Sequence, residues 1–145
     1  EQRICVSVAE RLSGLRDTVP VGAVLTMHAG SAAQVLLAWE EPERMHRGLM
    51  GAKFSATTLA GVRRRGWAQS VGEREAGVAS VSAPVRGPGN RVVAAVSVSG
   101  PVERLGRAPE AGLRPDEFTL TFPMPQAPLD FLWLALAEFA VGAAP

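Results

Sequence analysis

Residues 78–99 read V-A-S-V-S-A-P-V-R (Val78 to Arg86), G-P-G-N (Gly87 to Asn90) and R-V-V-A-A-V-S-V-S (Arg91 to Ser99). Two β-branched, alternating runs joined by a short segment of glycine, proline and asparagine predict an antiparallel hairpin. Pro84 has no N–H to give to a ladder, so it belongs at an edge or a bulge of its strand. Residues two apart on a strand share a face, which puts Ser80 beside Ser82 and Ser97 beside Ser99. Hydroxyls turned to a packed core each need a partner, whereas a pocket could use them to hold a small oxygen-rich ligand. Solvent would satisfy them equally well, and the pattern alone leaves these alternatives open.

Upstream of the hairpin, Arg3 to Val8 (R-I-C-V-S-V) alternates Ile4, Val6 and Val8 against Cys5 and Ser7, the period of one short strand with a buried face. Pro20 and Gly22 then predict a loop followed by a brief strand. Gly30 or Ser31 sits near the start of a helix carrying Val35, Leu36, Leu37 and Trp39, and free amides in its first turn would suit a carboxylate. Pro42 opens a short helix kept brief by Gly48 and Gly51. Thr57 or Thr58 is expected to cap a further helix through Leu59, Val62 and Arg65, closed by Gly66, after which Trp67 opens a strand. Beyond Gly106 prolines punctuate the chain up to Pro128, and the apolar run Leu129 to Val141 is expected to form a short buried helix.

The chain has 145 residues, 47% of them hydrophobic and 20% charged, with 15 Lys plus Arg against 14 Asp plus Glu. That is enough for one packed domain, and a net charge of +1 gives no global field for binding a phosphate backbone. The single cysteine, Cys5, excludes an internal disulfide; with only His28 and His46 beside it, neither a metal site nor a cofactor is expected. Cys5 suits core packing, His28 is structural or a ligand contact, and His46 belongs on the surface. The uncharged stretch 18–39 is interrupted by Pro20, Gly22, His28, Gly30, Ser31 and Gln34, so no membrane span is expected. No secretory leader is evident, and a start at Glu1 rather than methionine suggests a fragment.

For catalysis, a nucleophile needs a base and an orienting group, and no such set stands out; G-x-S-x-G is absent. A serine hydrolase is the weakest reading, and the expectation is no enzyme. G-P-G-N lacks the spacing and the following helix of a phosphate loop. Arg63, Arg64 and Arg65 could touch phosphate, but cations in a helix's last turn also complement its dipole.

Four segments in series, 15–39 (L-R-D-T-V-P-V-G-A-V-L-T-M-H-A-G-S-A-A-Q-V-L-L-A-W), 61–70 (G-V-R-R-R-G-W-A-Q-S), 77–85 (G-V-A-S-V-S-A-P-V) and 92–101 (V-V-A-A-V-S-V-S-G-P), resemble the effector-binding domain of IclR-type bacterial transcription regulators. The resemblance extends over residues 3–105. It implies an α/β (α+β) domain, an antiparallel sheet flanked by helices in the manner of GAF and PAS sensors, without catalysis. It further implies a homodimer or homotetramer and a cytoplasmic protein, while the hydroxyl-lined pocket motivates a small carboxylate or aromatic acid as effector. DNA contact would come only from an N-terminal winged helix-turn-helix that this chain lacks. A free-standing GAF-like sensor is the alternative.

Carried onto this sequence, the family's pocket falls on Leu25, Ser31, Ala32, Ser70, Ser80, Ser97 and Ser99. Asp17, beside Arg16, would lie in the loop over it, where Arg16 could pair with a carboxylate. Relatives that bind small oxoacids carry an acid at Ser70 and a cysteine at Ser80, and many members have lysine at Gln34. The resemblance divides the chain into an effector-binding domain, 1–105, and an atypical tail, 106–145, where relatives continue into a charged amphipathic helix. A changed reading frame or a truncation is expected to explain the tail.

Overall fold

The computed structural model describes residues 2–9, 19–107 and 136–139. Its elements follow in the order β1 (Gln2–Ile4), β2 (Ser7–Ala9), β3 (Val24–Thr26), α1 (Ser31–Ala38), α2 (Pro42–Leu49), α3 (Ala56–Arg65), β4 (Ala68–Val71), β5 (Val78–Arg86), β6 (Val92–Pro101), α4 (Val102–Leu105) and β7 (Leu136–Phe139). Five strands form a sheet in the order β2-β7-β6-β5-β4, and β1 pairs with β3 in a second, two-stranded sheet. The architecture is α+β and built on antiparallel pairs, as expected, with β7 running parallel to both β2 and β6.

The hairpin forms as the alternating runs predict, from Val78↔Pro101 to Arg86↔Val92, with a register shift between Val85 and Arg86. Its turn closes through Gly87 N–H to Arg91 O at 2.9 Å and Asn90 N–H to Gly87 O at 3.1 Å. Gly89 and Asn90 take φ of 69° and 61°, a region that glycine and asparagine tolerate best. Pairing of β4 with β5 ends at Ala68↔Ser82. Pro84 therefore lies past the end of β4 and beside the bulge, where its missing N–H interrupts no ladder on that flank.

Two stretches differ from expectation. Arg3 to Val8 is not one strand: β1 and β2 belong to different sheets, separated at Cys5 and Val6. Cys5 N–H donates to Ala23 O at 3.0 Å and Cys5 O accepts from Gly22 N–H at 2.7 Å, which carries the chain across from β3 to the larger sheet. Cys5 is buried, as its core role expects, and Arg3 is buried with it, while Val6 is 46% exposed. The second difference lies in the run Leu129 to Val141, of which Leu136–Phe139 is a strand and not a helix. Both edges of that strand are paired, with β2 on one side and β6 on the other, and a mostly apolar run does not by itself separate such a strand from a buried helix. The rest of that run lies outside the described residues.

All eight residues of α1 are buried, the mark of a helix with no solvent face. It packs against β4, β5 and β6 on one side and against α2 and α3 on the other. Leu37, Val35, Met27, Leu59, Val62 and Cys5 are among the fully buried side chains of this core. The opposite face of the hairpin presents Ala83, Val85, Ala94 and Val96 as a second apolar cluster.

The cap of α3 is Ser55, one turn before the expected Thr57 or Thr58. Ser55 Oγ accepts from Thr58 N–H at 3.2 Å and Thr58 Oγ1 accepts from Ser55 N–H at 3.3 Å, a reciprocal capping box. Gly66 closes the helix at φ 84°, as expected. The three arginines are exposed at the helix end; Arg63 donates to Ala38 O at 2.8 Å, and Arg65 donates to Trp67 O and stacks 4.6 Å over the Trp67 ring.

Helix α2 approaches α1 through Gly48, where a Cβ would stand 2.9 Å from Cδ1 of the fully buried Leu37 and closer still to its Cδ2. Gly48→Ala gains helix propensity of about 1 kcal/mol but overpacks a side chain that has nowhere to move. The variant is expected to lose about 1–3 kcal/mol net, read as a lower urea midpoint at unchanged slope; a rise in the midpoint would contradict this packing.

Candidate functional site

Small residues at the start of α1, Ser31, Ala32 and Ala33, let the helix approach the hairpin closely. The hairpin turns Ser80, Ser82, Ser97 and Ser99 toward it, with Ser80 opposite Ser99 and Ser82 opposite Ser97. Ser31 Oγ lies 2.7 Å from Ser80 Oγ and 2.7 Å from Ser82 Oγ. Ser80 continues to Ser70 on β4 at 2.9 Å, and Ser82 to Ser97 at 2.5 Å. The result is an unbroken hydroxyl chain, Ser70–Ser80–Ser31–Ser82–Ser97, crossing from β4 through the helix to β6. Ser31, Ser70, Ser82 and Ser97 are buried.

Each serine has one O–H to give and two lone pairs to accept with. Five hydroxyls joined by four links therefore leave one proton over. If all the hydroxyls point one way, Ser97 presents a donor; if all reverse, it presents an acceptor. The wall can thus meet either a hydroxyl or a carbonyl oxygen of a ligand without a side chain moving.

Beside this chain opens a cleft of about 290 Å³, its solvent side included, lined by Arg3, Leu25, Gly30, Ser31, Ala32, Arg74, Ser80, Ser97 and Ser99. Six of the eight site residues expected from sequence, Leu25, Ser31, Ala32, Ser80, Ser97 and Ser99, are thereby brought to one place. Ser70 is not among the lining residues and reaches the cleft through Ser80. Asp17 and Arg16 lie outside the described residues. Among the described residues no group of three His, Cys, Asp or Glu side chains is arranged to hold a metal, and no helix is long and apolar enough to cross a membrane.

Arg3, Arg74 and Glu73 are additions that the sequence did not mark. Arg3 is only 4% exposed and donates to Thr26 O and, at 3.1 Å, to Ala29 O. Its place two residues before the core residue Cys5, on the same side of an alternating run, was the available signal. Glu73 stands in the loop between β4 and β5. Its carboxylate accepts from Gly30 N–H at 2.9 Å and from Gln34 Nε2 at 2.9 Å, while Lys53 Nζ donates to its carbonyl. Gln34, 1% exposed, also gives a hydrogen bond to Gln69 O at 3.1 Å. Gly30 makes the junction possible: its φ of 93° suits glycine, and a Cβ there would meet Arg3 Nη2 at 3.4 Å.

A family model described as the bacterial transcriptional regulator IclR C-terminal domain matches residues 2–115. The chain belongs to the IclR family. Among IclR-type relatives it is 34% identical over 102 residues to the glycerol operon regulatory protein of Streptomyces griseus, covering 62% of this chain and 40% of that protein. It is 30% identical over 116 residues to the HTH-type transcriptional regulator BhcR of Paracoccus denitrificans, covering 71% and 42%. The chain thus spans well under half the length of these two relatives. The C-terminal domain of a transcriptional regulator from Vibrio cholerae superposes with a TM-score of 0.62 at 30% identity, covering 70% of this chain and 66% of that one.

Ser31 is the middle link of the hydroxyl chain, so Ser31→Ala leaves both Ser80 and Ser82 short of a buried partner. A loss of about 1–3 kcal/mol is expected, measured by chemical denaturation, with a smaller loss for Ser70→Ala at the end of the chain. Equal stability of Ser31→Ala and the parent would show that the chain contributes nothing to holding α1 on the hairpin.

Proposed function

We propose that this chain senses a small carboxylate or aromatic acid for an IclR-type transcription regulator, and that the effector lies in the cleft between the start of α1 and the serine face of the hairpin. The observation that carries the reading is the convergence of Ser31, Ser80, Ser97 and Ser99 on one cleft beside Leu25 and Ala32. Polar groups converging on a small cleft with an apolar side chain at its edge are what a site for a small oxygen-bearing ligand needs. Ser70 and Asp17 belong to the proposed site as well, the first through Ser80 and the second as the family resemblance implies.

On this reading the protein regulates and does not catalyse. DNA contact belongs to an N-terminal winged helix-turn-helix, the assembly is a homodimer or homotetramer in the cytoplasm, and residues 1–105 form the effector domain ahead of a separate tail. Effector binding then shifts a quaternary equilibrium through different affinities for two arrangements, a coupling of about 1–3 kcal/mol in typical cases.

The test is a thermal-melt screen of the chain against metabolite carboxylates and aromatic acids, repeated on the Ser97→Ala, Ser99→Ala double variant. A ligand at about 100 times its Kd adds roughly 2.7 kcal/mol and raises the melt by several degrees. The expected result is a shift in the parent that is lost in the double variant. An equal shift in both would move the ligand away from the strand serines.

A further inference from the structure

We propose that the residue at position 70, outside the cleft, decides which kind of ligand oxygen Ser97 accepts, and that with serine there the cleft takes hydroxy acids and oxo acids alike. The inference rests on the cleft being the effector site and names a specificity determinant for it. Ser70 is a positioning residue. It is not among the lining residues and acts through the hydroxyls of Ser80, Ser31, Ser82 and Ser97.

Protons set the direction of that chain. At each of its links, Ser70–Ser80 at 2.9 Å, Ser80–Ser31 at 2.7 Å, Ser31–Ser82 at 2.7 Å and Ser82–Ser97 at 2.5 Å, either oxygen can donate. Each link takes one proton, and a hydroxyl reassigns its proton by rotating about its own C–O bond. The one left over goes to whichever member finds an acceptor outside the chain. An oxo acid brings a carbonyl oxygen to Ser97 and draws the spare proton to that end, with every hydroxyl donating toward β6. A hydroxy acid donates to Ser97 instead, and the chain reverses. Because Ser31, Ser70, Ser82 and Ser97 are buried, bulk water does not repair a link that is broken.

An acceptor-only group at position 70 removes this freedom. The ionised carboxylate of Ser70→Asp takes the proton of Ser80. Ser31 must then donate to Ser80, Ser82 to Ser31 and Ser97 to Ser82, so every proton is committed and none is spare. Ser97 turns only lone pairs to the cleft, which suits a ligand hydroxyl and repels a carbonyl. The amide of Ser70→Asn has the same size but can turn either its oxygen or its NH2 to Ser80, and both directions return. Charge and hydrogen-bond polarity at one edge of the seam thus govern selectivity at the other.

The experiment is calorimetric binding of two matched pairs, lactate with pyruvate and mandelate with benzoylformate. It is run at about pH 9, above the ordinary range of carboxylates and of most buried ones. The proteins are the parent, Ser70→Asp, Ser70→Asn, Ser31→Ala and the Ser70→Asp, Ser31→Ala double variant, with thermal melts verifying that each folds. Ser70→Glu, whose longer side chain can also bring a carboxylate to Ser80, replaces Ser70→Asp if that variant does not fold. In the parent, the two members of at least one pair are expected to bind within about threefold of each other. The acidic variant should favour the hydroxy acid by about tenfold or more, the loss of one hydrogen bond for the oxo acid, while Ser70→Asn and Ser31→Ala keep the parent's ratio. Cutting the chain in the double variant should restore that ratio, which a general disturbance of the fold would not do. A parent that prefers one member of each pair tenfold, a folded acidic variant with an unchanged ratio, equal shifts in Ser70→Asp and Ser70→Asn, or a preference that survives Ser31→Ala would each overturn this inference and leave the cleft reading standing. Absence of binding by all of these acids to the folded parent would overturn the inference and the cleft reading together.

Discussion

The hydroxyl of Ser31 is the contact around which the rest is arranged. It touches Ser80 and Ser82 at 2.7 Å each, which demands that α1 come close to the sheet. Closeness in turn requires the small side chains of Ser31, Ala32 and Ala33 in the first turn, and a preceding glycine that can hold φ at 93°. A leucine at any of these first positions would push the helix away and strand the serines in an apolar core, each at a cost of about 1–3 kcal/mol. The fold keeps a polar seam inside its core by making the hydroxyls satisfy one another.

That seam gives the cleft its character. A purely apolar junction between α1 and the hairpin would close, as the packing of Leu37 against α2 closes. Here hydroxyls line one wall and Arg3 enters from β1, held by two backbone carbonyls. Glu73 lies on the far side of Gly30, tied to Gln34 and not to the cleft arginines. Where many relatives have lysine, as their resemblance implies, this chain's Gln34 gives Glu73 a neutral donor, so the carboxylate keeps its negative charge uncompensated by that residue. The acid thus stands toward β4 and the Arg3 guanidinium toward β1 on either side of α1's first turn.

Much of this was legible in the sequence where local chemistry decides the outcome. The hairpin followed from alternation around G-P-G-N, Pro84's edge position from its missing N–H, and the shared faces of Ser80 with Ser82 and Ser97 with Ser99 from a period of two. What the period cannot say is which face turns inward or when a strand changes partners. Arg3 is buried beside Cys5 while Val6 is exposed, and the backbone bonds of Cys5 to Gly22 and Ala23 split one expected strand into two. The Ser55 box escaped notice because its second half, Thr58, was itself taken as a candidate cap. Leu136–Phe139 escaped because a mostly apolar run does not by itself separate a strand from a buried helix. The role of Glu73 was invisible, since it depends on a contact with Gly30 across 43 positions of sequence.

The most direct test of the account is a crystal structure of this chain grown with the carboxylate that raises its melting temperature most. The account predicts density in the cleft between α1 and the hairpin, with an oxygen of the ligand within hydrogen-bond distance of Ser97 or Ser99. Ser31 should still bridge Ser80 and Ser82. A ligand seated outside that cleft, or a chain in which Ser31 has left the hairpin to admit it, would contradict it.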